Sequence, residues 1–224
     1  MSKIFEWDAR KGTLIDSVSG KPGDFTAGNG GYSTTDKGRA VYFDNNNTYI
    51  EYDGFSLTNF SMGIWFKTGE TSGNDMNLLG YGGDIQPFRI RDNDWWLYLQ
   101  SDGGTVASPR PYENITDNQW NCLIIERDSN EIRYYRNNKL VDTDTSLDEN
   151  DVFTLSKLWV GKAADDSFEG FIQRAVLYDD GGFGGNREQF YKEFLRSAPV
   201  EKPVRNFSFP KPTALSREQG LVAA

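Results

Sequence analysis

Short runs in which apolar and polar residues alternate recur along the chain, separated by clusters of Gly, Asn and Asp. A period of two belongs to strands with one buried face, so the pattern predicts many antiparallel strands. They fall at 3–8, 38–43, 48–53, 60–69, 77–80, 88–91, 95–100, 104–107, 121–127, 131–136, 139–144, 157–160 and 168–178. Asp102 with Gly103, Asn137 with Asn138, and residues 128–130 mark hairpin turns, because these residue types tolerate positive φ or bond their own backbone. In the run 60–66, Phe60, Met62, Ile64 and Phe66 share one face and Trp65 takes the other, which predicts a central strand covered on both sides. One helix is expected at 186–196, with Asn186 as cap, Gln189 at the capping-box position and a stripe of Phe190, Tyr191, Phe194 and Leu195. Beyond it, Pro199, Pro203, Pro210 and Pro212 break both helix and ladder, so 197–212 reads as a Pro-rich linker or docking segment.

Composition agrees with a strand-rich reading. Aromatics make up 14% of the 224 residues and there are 23 glycines, a mixture suited to pleated strands and tight turns. The formal charge of −9 repels phosphate backbones, and no segment concentrates Lys and Arg, so a nucleic-acid partner is not expected. Cys122 is the sole cysteine and leaves no intrachain disulfide to form. The opening Met1, Ser2 and Lys3 lead straight into a strand pattern with no apolar signal segment, and no stretch is long enough to span a bilayer, so synthesis in a reducing cytoplasm is expected.

Several segments, in their order, carry a family resemblance: 38–44 followed by 48–51, 60–67 with Trp65, 120–128 opening on Trp120, 132–141 with Tyr134 and Tyr135, and 158–161 with Trp159, leading to 168–178. Over residues 3–196 the chain resembles laminin-G-like modules of the concanavalin A-like superfamily. The resemblance implies an all-β, antiparallel jelly-roll sandwich with one short C-terminal helix and an extended tail. It also implies ligands met by edge loops or by the concave face, but no single function. On this reading 1–196 is the sandwich, 197–212 the linker, and 213–224 the opening of a further module or a strand that pairs with a partner.

The candidate chemistry is sparse. The superfamily's β-glucan hydrolases carry paired carboxylates on one strand, and Glu126, Asp128 and Glu131 have that spacing. Here, however, residues 128–130 form a predicted turn, which splays the carboxylates into solvent and away from the close pair that hydrolysis needs. The chain has no His, which removes the usual general base and the Ser-His and Cys-His nucleophile systems. Cys122 alternates with Leu123 and Ile125 as a buried filler. Calcium, the one metal worth weighing, has candidate ligands at Asp44 with Asn45, Asn46 and Asn47, and at Asp165 with Asp166, without the spacing of a known calcium loop. The glycine clusters at 28–31, 80–83 and 181–185 read as turns.

The best binding candidate is the hairpin 88–100. Phe88, Ile90, Trp95, Leu97 and Leu99 are expected to face the core, leaving Arg89, Arg91, Trp96 and Tyr98 outside. An aromatic pair can stack on the C–H face of a pyranose while Arg89, Arg91 and Asp94 bond its hydroxyls. The competing expectation is that Trp96 and Tyr98 are covered by another sheet or subunit, or simply stabilise the hairpin. Together these features predict a non-catalytic binding or assembly module, with a degenerate glycan hydrolase as the alternative. By resemblance it is placed among phage structural proteins, in a fibre, tail or head decoration of the virion. Other structural subunits would be met through 197–224, an oligomer would form, and a cell-surface glycan is the candidate ligand.

Overall fold

The run that alternates most strongly in the sequence, around Trp65, lies at the centre of the molecule. The computed structural model describes residues 2–26, 30–68, 75–81, 85–91, 94–108, 115, 118–163 and 166–196. The first layer holds β1 (Lys3–Asp8), β3 (Gly31–Thr35), β4 (Gly38–Asp44), β6 (Phe60–Thr68), β12 (Trp120–Asp128), β13 (Glu131–Arg136), β14 (Lys139–Asp144) and β18 (Glu169–Tyr178). Their order is β14-β13-β12-β6-β18-β4-β3, with β1 also pairing with β18, and every pairing is antiparallel. Two four-stranded sheets oppose it. One is built of β2 (Asp24–Thr26), β5 (Tyr49–Leu57), β15 (Phe153–Val160) and β8 (Leu79–Gly80), and the other of β11 (Val106–Ala107), β10 (Asp94–Gln100), β9 (Ile85–Arg91) and β7 (Met76–Asn77). A small hairpin of β16 (Lys162–Ala163) and β17 (Asp166–Ser167) adjoins β7 and β8. The result is the antiparallel β-sandwich expected of the jelly-roll class.

The segment expected as one strand at 77–80 is in fact two. Met76 and Asn77 pair with β9, while Leu79 and Gly80 pair with β15. Between them, the Leu78 N–H donates to Phe88 O at 2.9 Å and its carbonyl accepts from Gly161 N at 2.8 Å. This split stitches the two four-stranded sheets into one second layer. The main core lies between the layers and takes in Phe43, Phe60, Ile64, Phe66 and Tyr134 from the first layer and Ile50, Phe88, Trp95, Leu97 and Leu158 from the second.

Both faces of β6 are sealed, as its pattern predicts. On the outer side, Trp65, Cys122, Ile124 and Val176 pack beneath α1 (Arg187–Arg196) through Phe190 and Phe194. Gly63 is required there, since a Cβ would lie 2.7 Å from the Phe190 ring and 2.8 Å from Phe183. The guanidinium groups of Arg10 and Arg174 each lie 4.8 Å from the Trp65 ring. The helix begins directly after Asn186, whose carbonyl accepts from Phe190 N at 2.8 Å as the expected cap position requires, and Leu195 is 53% exposed, so the buried stripe narrows to Phe190 and Phe194. Gln189 bonds Glu193 at 3.0 Å rather than the backbone N–H of Asn186, which donates to Phe183 O. Residues 197–224, with their expected linker and further module, lie outside the described residues.

Two arginines tie loops and termini to this frame. Arg127 is fully buried; its guanidinium donates to Thr58 O, to Asp151 O at 2.6 Å and to Asp148 O at 2.8 Å. Arg174 donates to Glu6 on β1, at 2.9 Å from Nε, and to Glu193 on α1 at 2.5 Å. Burial works to raise the Glu6 pKa, but the Arg174 guanidinium outweighs it and holds the carboxyl at about 2, below the ordinary 4.5. Removing Arg127 takes its guanidinium from three carbonyls, of which Asp148 O keeps the Asp151 N–H at 3.0 Å, so Arg127→Met is expected to destabilise the fold by about 3 kcal/mol, read from the urea midpoint. A lowered carboxylate pKa adds stability that is present above the unfolded value and lost as pH falls through the folded one. Stability should therefore decline between about pH 4.5 and pH 2, by about 1–2 kcal/mol from Glu6 once screening is allowed for. Urea unfolding at stepped pH is expected to show a shallower decline in Arg174→Met than in the parent chain.

Candidate functional site

The hairpin of β9 and β10 is two-faced. Phe88, Ile90, Trp95, Leu97 and Leu99 are buried in the core, while Arg89, Asp94, Trp96 and Tyr98 are half-buried and Arg91 exposed on the outer side. Asp94 is paired with Arg91, and Trp96 with Arg89. Beyond Trp96 the register shifts, since Tyr98 pairs with Gln86 and Leu97 alone faces Pro87 and Phe88. A bulge on β9 is where a proline, lacking an N–H for the ladder, is tolerated inside a sheet. It places Gln86, not Pro87, opposite Tyr98.

Ion pairs fix the outer side chains. Asp75 binds Arg89 and lies 3.2 Å from Arg91 Nε, and Asp166 lies 3.8 Å from Arg89. The Arg91 guanidinium sits 5.2 Å from the Trp96 ring centroid, an arrangement that favours a cation over an aromatic face. Tyr98 donates to Gln100 at 3.3 Å. In the same cross-strand row as Trp96 and Arg89 stands Asn77, whose amide donates to Ala163 O at 3.3 Å and to Asp166 at 3.4 Å. Arg89 Nε and Asn77 Oδ1 are buried without a hydrogen-bond partner among the described residues, a donor and an acceptor left unmet in one row. The structure thus brings Arg89, Arg91, Asp94 and Trp96 together, with Tyr98 next along the strand.

A second aromatic group on the same layer was not expected. Trp159 lies on β15 between buried Leu158 and Val160, and so points outward. Its indole N–H donates to Glu51 at 2.9 Å; Tyr81 meets it edge-on at 4.8 Å and Tyr49 lies 5.3 Å away. Lys157 pairs with Glu51 at 3.1 Å, and the Lys162 ammonium lies 5.3 Å from the Tyr49 ring and 5.5 Å from the Trp159 ring. Reading Trp159 by the rule applied to Trp65, an aromatic one step out of phase with its neighbours, would have found it. Asp75 carried no such signal, because its role depends on a partner across the sheet.

The carboxylate motif is dispersed. Asp128 ends β12 and Glu131 begins β13, with Ser129 at φ 58° in the turn between, so the turn expected at 128–130 is present. Glu126 departs from the expected splay into solvent: it is buried, 3.0 and 3.1 Å from Arg187 at the start of α1, with Arg133 at 3.9 Å. Burial raises its pKa against the opposing pull of Arg187. Burial also pushes the Cys122 thiol well above its ordinary range, which leaves no ready thiolate.

At the candidate calcium positions, Asp44 accepts from Asn46 N at 3.1 Å and from the Thr48 hydroxyl, and the Lys162 ammonium donates to Asn47. Asn45 and Asn47 adopt positive φ, as an Asn-rich turn requires. Asp166 is engaged by Arg89 and Asn77, and Asp165 lies outside the described residues. Among the described residues no three acidic or thiol side chains gather as a metal would need, and no helix is long and apolar enough to cross a membrane.

Comparison with known proteins follows the same lines. The concanavalin A-like lectin/glucanases superfamily matches residues 33–180. Domain 4 of the extracellular arabinanase AbnA from Geobacillus stearothermophilus, solved with arabinotriose, is 20% identical at a TM-score of 0.62, over 80% of this chain and 93% of that one. The receptor-binding domain of botulinum neurotoxin D is 16% identical at a TM-score of 0.67, over 87% of this chain. The binding domain of Paraclostridial Mosquitocidal Protein 1 is 11% identical at a TM-score of 0.67, over 86% of this chain. The chain spans about half the length of these two toxin domains, 53% and 52%. A search of curated proteins by sequence finds no match.

Proposed function

Because the chain belongs to the concanavalin A-like lectin/glucanases superfamily, where one fold carries both binding and hydrolysis, we propose from the site itself that it is a non-catalytic carbohydrate-binding module. The carrying observation is the outer face of the second layer. Among the described residues no helix lies on it, and it presents Trp96 with Tyr98 on one side and Trp159 with Tyr49 and Tyr81 on the other. An aromatic ring held flat against a sheet stacks on the C–H face of a sugar, and preset carboxylates and guanidinium groups bond its hydroxyls without first being ordered. Arg89, Arg91 and Asp94 supply those groups beside Trp96, and Glu51 and Lys157 supply them beside Trp159. The unmet Arg89 Nε and Asn77 Oδ1 add polar capacity that a sugar hydroxyl or bridging water would satisfy after a small side-chain shift.

Three observations support a role without catalysis. No His is present, Cys122 is sealed in a core, and Glu126 is locked to Arg187 beneath the helix. The arabinanase domain solved with arabinotriose and the toxin receptor-binding domain lend the reading analogy at the level of fold. The proposal rests neither on membership of a virus particle nor on subunit contacts through 197–224, which lie outside the described residues.

Affinity electrophoresis through gels cast with neutral and acidic polysaccharides tests the reading. At least one polysaccharide is expected to retard the chain, and Trp96→Ala and Trp159→Ala should each weaken that retardation about tenfold, the scale of one lost stacking contact with its polar neighbours. No reducing ends should appear on prolonged incubation. Retardation by none of the polysaccharides, or retardation unchanged in both variants, would remove this site.

A further inference from the structure

A separate groove lies on the outer face of the opposite layer, at the end that the helix leaves uncovered. It measures about 460 Å³ and is lined by Gly30, Gly31, Tyr32, Ser33, Tyr42 and Phe171. Its floor is an aromatic pair: Tyr42 on β4 faces Phe171 on β18 across the ladder, with ring centroids 5.2 Å apart and planes tilted by 50°. Both side chains are half-buried, although Val41, Phe43 and Ile172 beside them are sealed in the core.

Glycines keep the groove open. Gly31 is paired with Tyr42, so a side chain there would rise beside the floor, and a Cβ at Gly31 would meet nothing within 4 Å. Gly30 is needed for a different reason, since its Cβ would lie 2.5 Å from Thr48 and 2.6 Å from Tyr42 O. Two glycines that read as a turn in the sequence thus form the wall of a concavity.

The rim is acidic. One step along the same pair of strands, on the same face, Asp44 is directly opposite Glu169. Like charges directly opposite one another destabilise a sheet, and here they stand at the mouth of an aromatic groove. The Tyr42 phenol is a hydrogen-bond donor at neutral pH, as an ordinary tyrosine is, and burial with Glu169 and Asp44 raises its pKa further. Aromatic floor, carboxylate acceptors and a phenolic donor together match a neutral, hydroxyl-rich ring. The rim repels a carboxylate-bearing one.

We propose that this groove is a second carbohydrate site, selective for neutral sugar units. It rests on the reading of the chain as a sugar-binding module and adds a site on the opposite layer from Trp96 and Trp159. Among the described residues no arginine lies against the Tyr42 or Phe171 ring of the floor, and the Arg39 guanidinium lies 5.7 Å from the Tyr32 ring on the wall; on this balance the two surfaces would divide their ligands by charge.

Amide chemical-shift mapping of the full chain, titrated separately with arabinotriose, xylotriose, cellotriose and 3′-sialyllactose, tests this. At least one neutral trisaccharide is expected to shift Gly30, Gly31, Tyr42 and Phe171, with 3′-sialyllactose leaving them in place. Gly31→Val fills the groove with a residue suited to a strand, and Phe171→Ala removes half the floor. Each should weaken this binding at least tenfold, while Trp96→Ala retains it. Shifts confined to the Trp96 face would overturn the groove and leave the module reading standing, whereas shifts confined to the groove would support it and remove the Trp96 face as a site. The groove also falls if Gly31→Val binds as the parent does, if 3′-sialyllactose shifts it equally, or if no sugar shifts any amide. The last result removes the module reading as well.

Discussion

The strand Phe60–Thr68 is sealed on both faces, and this constraint organises the molecule. Phe60, Met62, Ile64 and Phe66 enter the core between the layers, and Trp65 enters a smaller one under the helix. A strand buried on both sides can offer no ligand-facing surface of its own, so binding chemistry is displaced to the rest of the outer faces. Trp65 also gathers the charged groups around it. Arg174 crosses its ring and binds Glu6 from the first strand and Glu193 from the helix. One buried aromatic thereby fixes where the helix lies on the first layer.

Charge is used in two ways here. Buried arginines serve architecture, because a guanidinium can reach several acceptors at once and stay ionised where a lysine would be pushed toward neutrality. Arg127, with three backbone carbonyls around it, pins the segments near Thr58 and Asp148 to the end of the sandwich. The arginines of the outer hairpin are instead half-buried or exposed and share Asp75. They are ordered yet still reachable, and what separates the two groups is the exposure of the strand face that carries them.

Alternation made most strands, and the two-faced hairpin with Trp96, readable from the sequence, because a period of two is a local property. What escaped reading was non-local. Glu126 was expected in solvent, and its burial depends on Arg187, 61 residues away. The short strand Asp24–Thr26 and the pair Lys162–Ala163 and Asp166–Ser167 have too few residues to show a period, and β3 runs through Ser and Thr with no apolar beat. The split at Leu78 could not be read either, since Met76 to Gly80 is apolar enough for one strand and divides only because two different partners claim its halves. Trp159 is legible in principle, since it stands one step out of phase between apolar Leu158 and Val160.

Shallow aromatic platforms have a physical consequence for affinity. A single ring stacked on a sugar contributes about 1 kcal/mol beyond the area it buries, too little by itself for tight binding, and a flat sheet offers no deep enclosure to add to it. Tight attachment from such surfaces comes from using several at once, as a tethered second contact acts at an effective concentration far above that of free ligand. A sandwich is well suited to this, since its two layers turn their outer faces in opposite directions and the rigid core fixes the separation between sites. Were the two proposed faces to bind sugars, they could engage two strands of a polysaccharide, or two molecules, but could not close together on one short oligosaccharide. Sites so placed would favour capture of extended or clustered glycans over isolated ones, a preference set by the geometry of the sheets whatever the sugar.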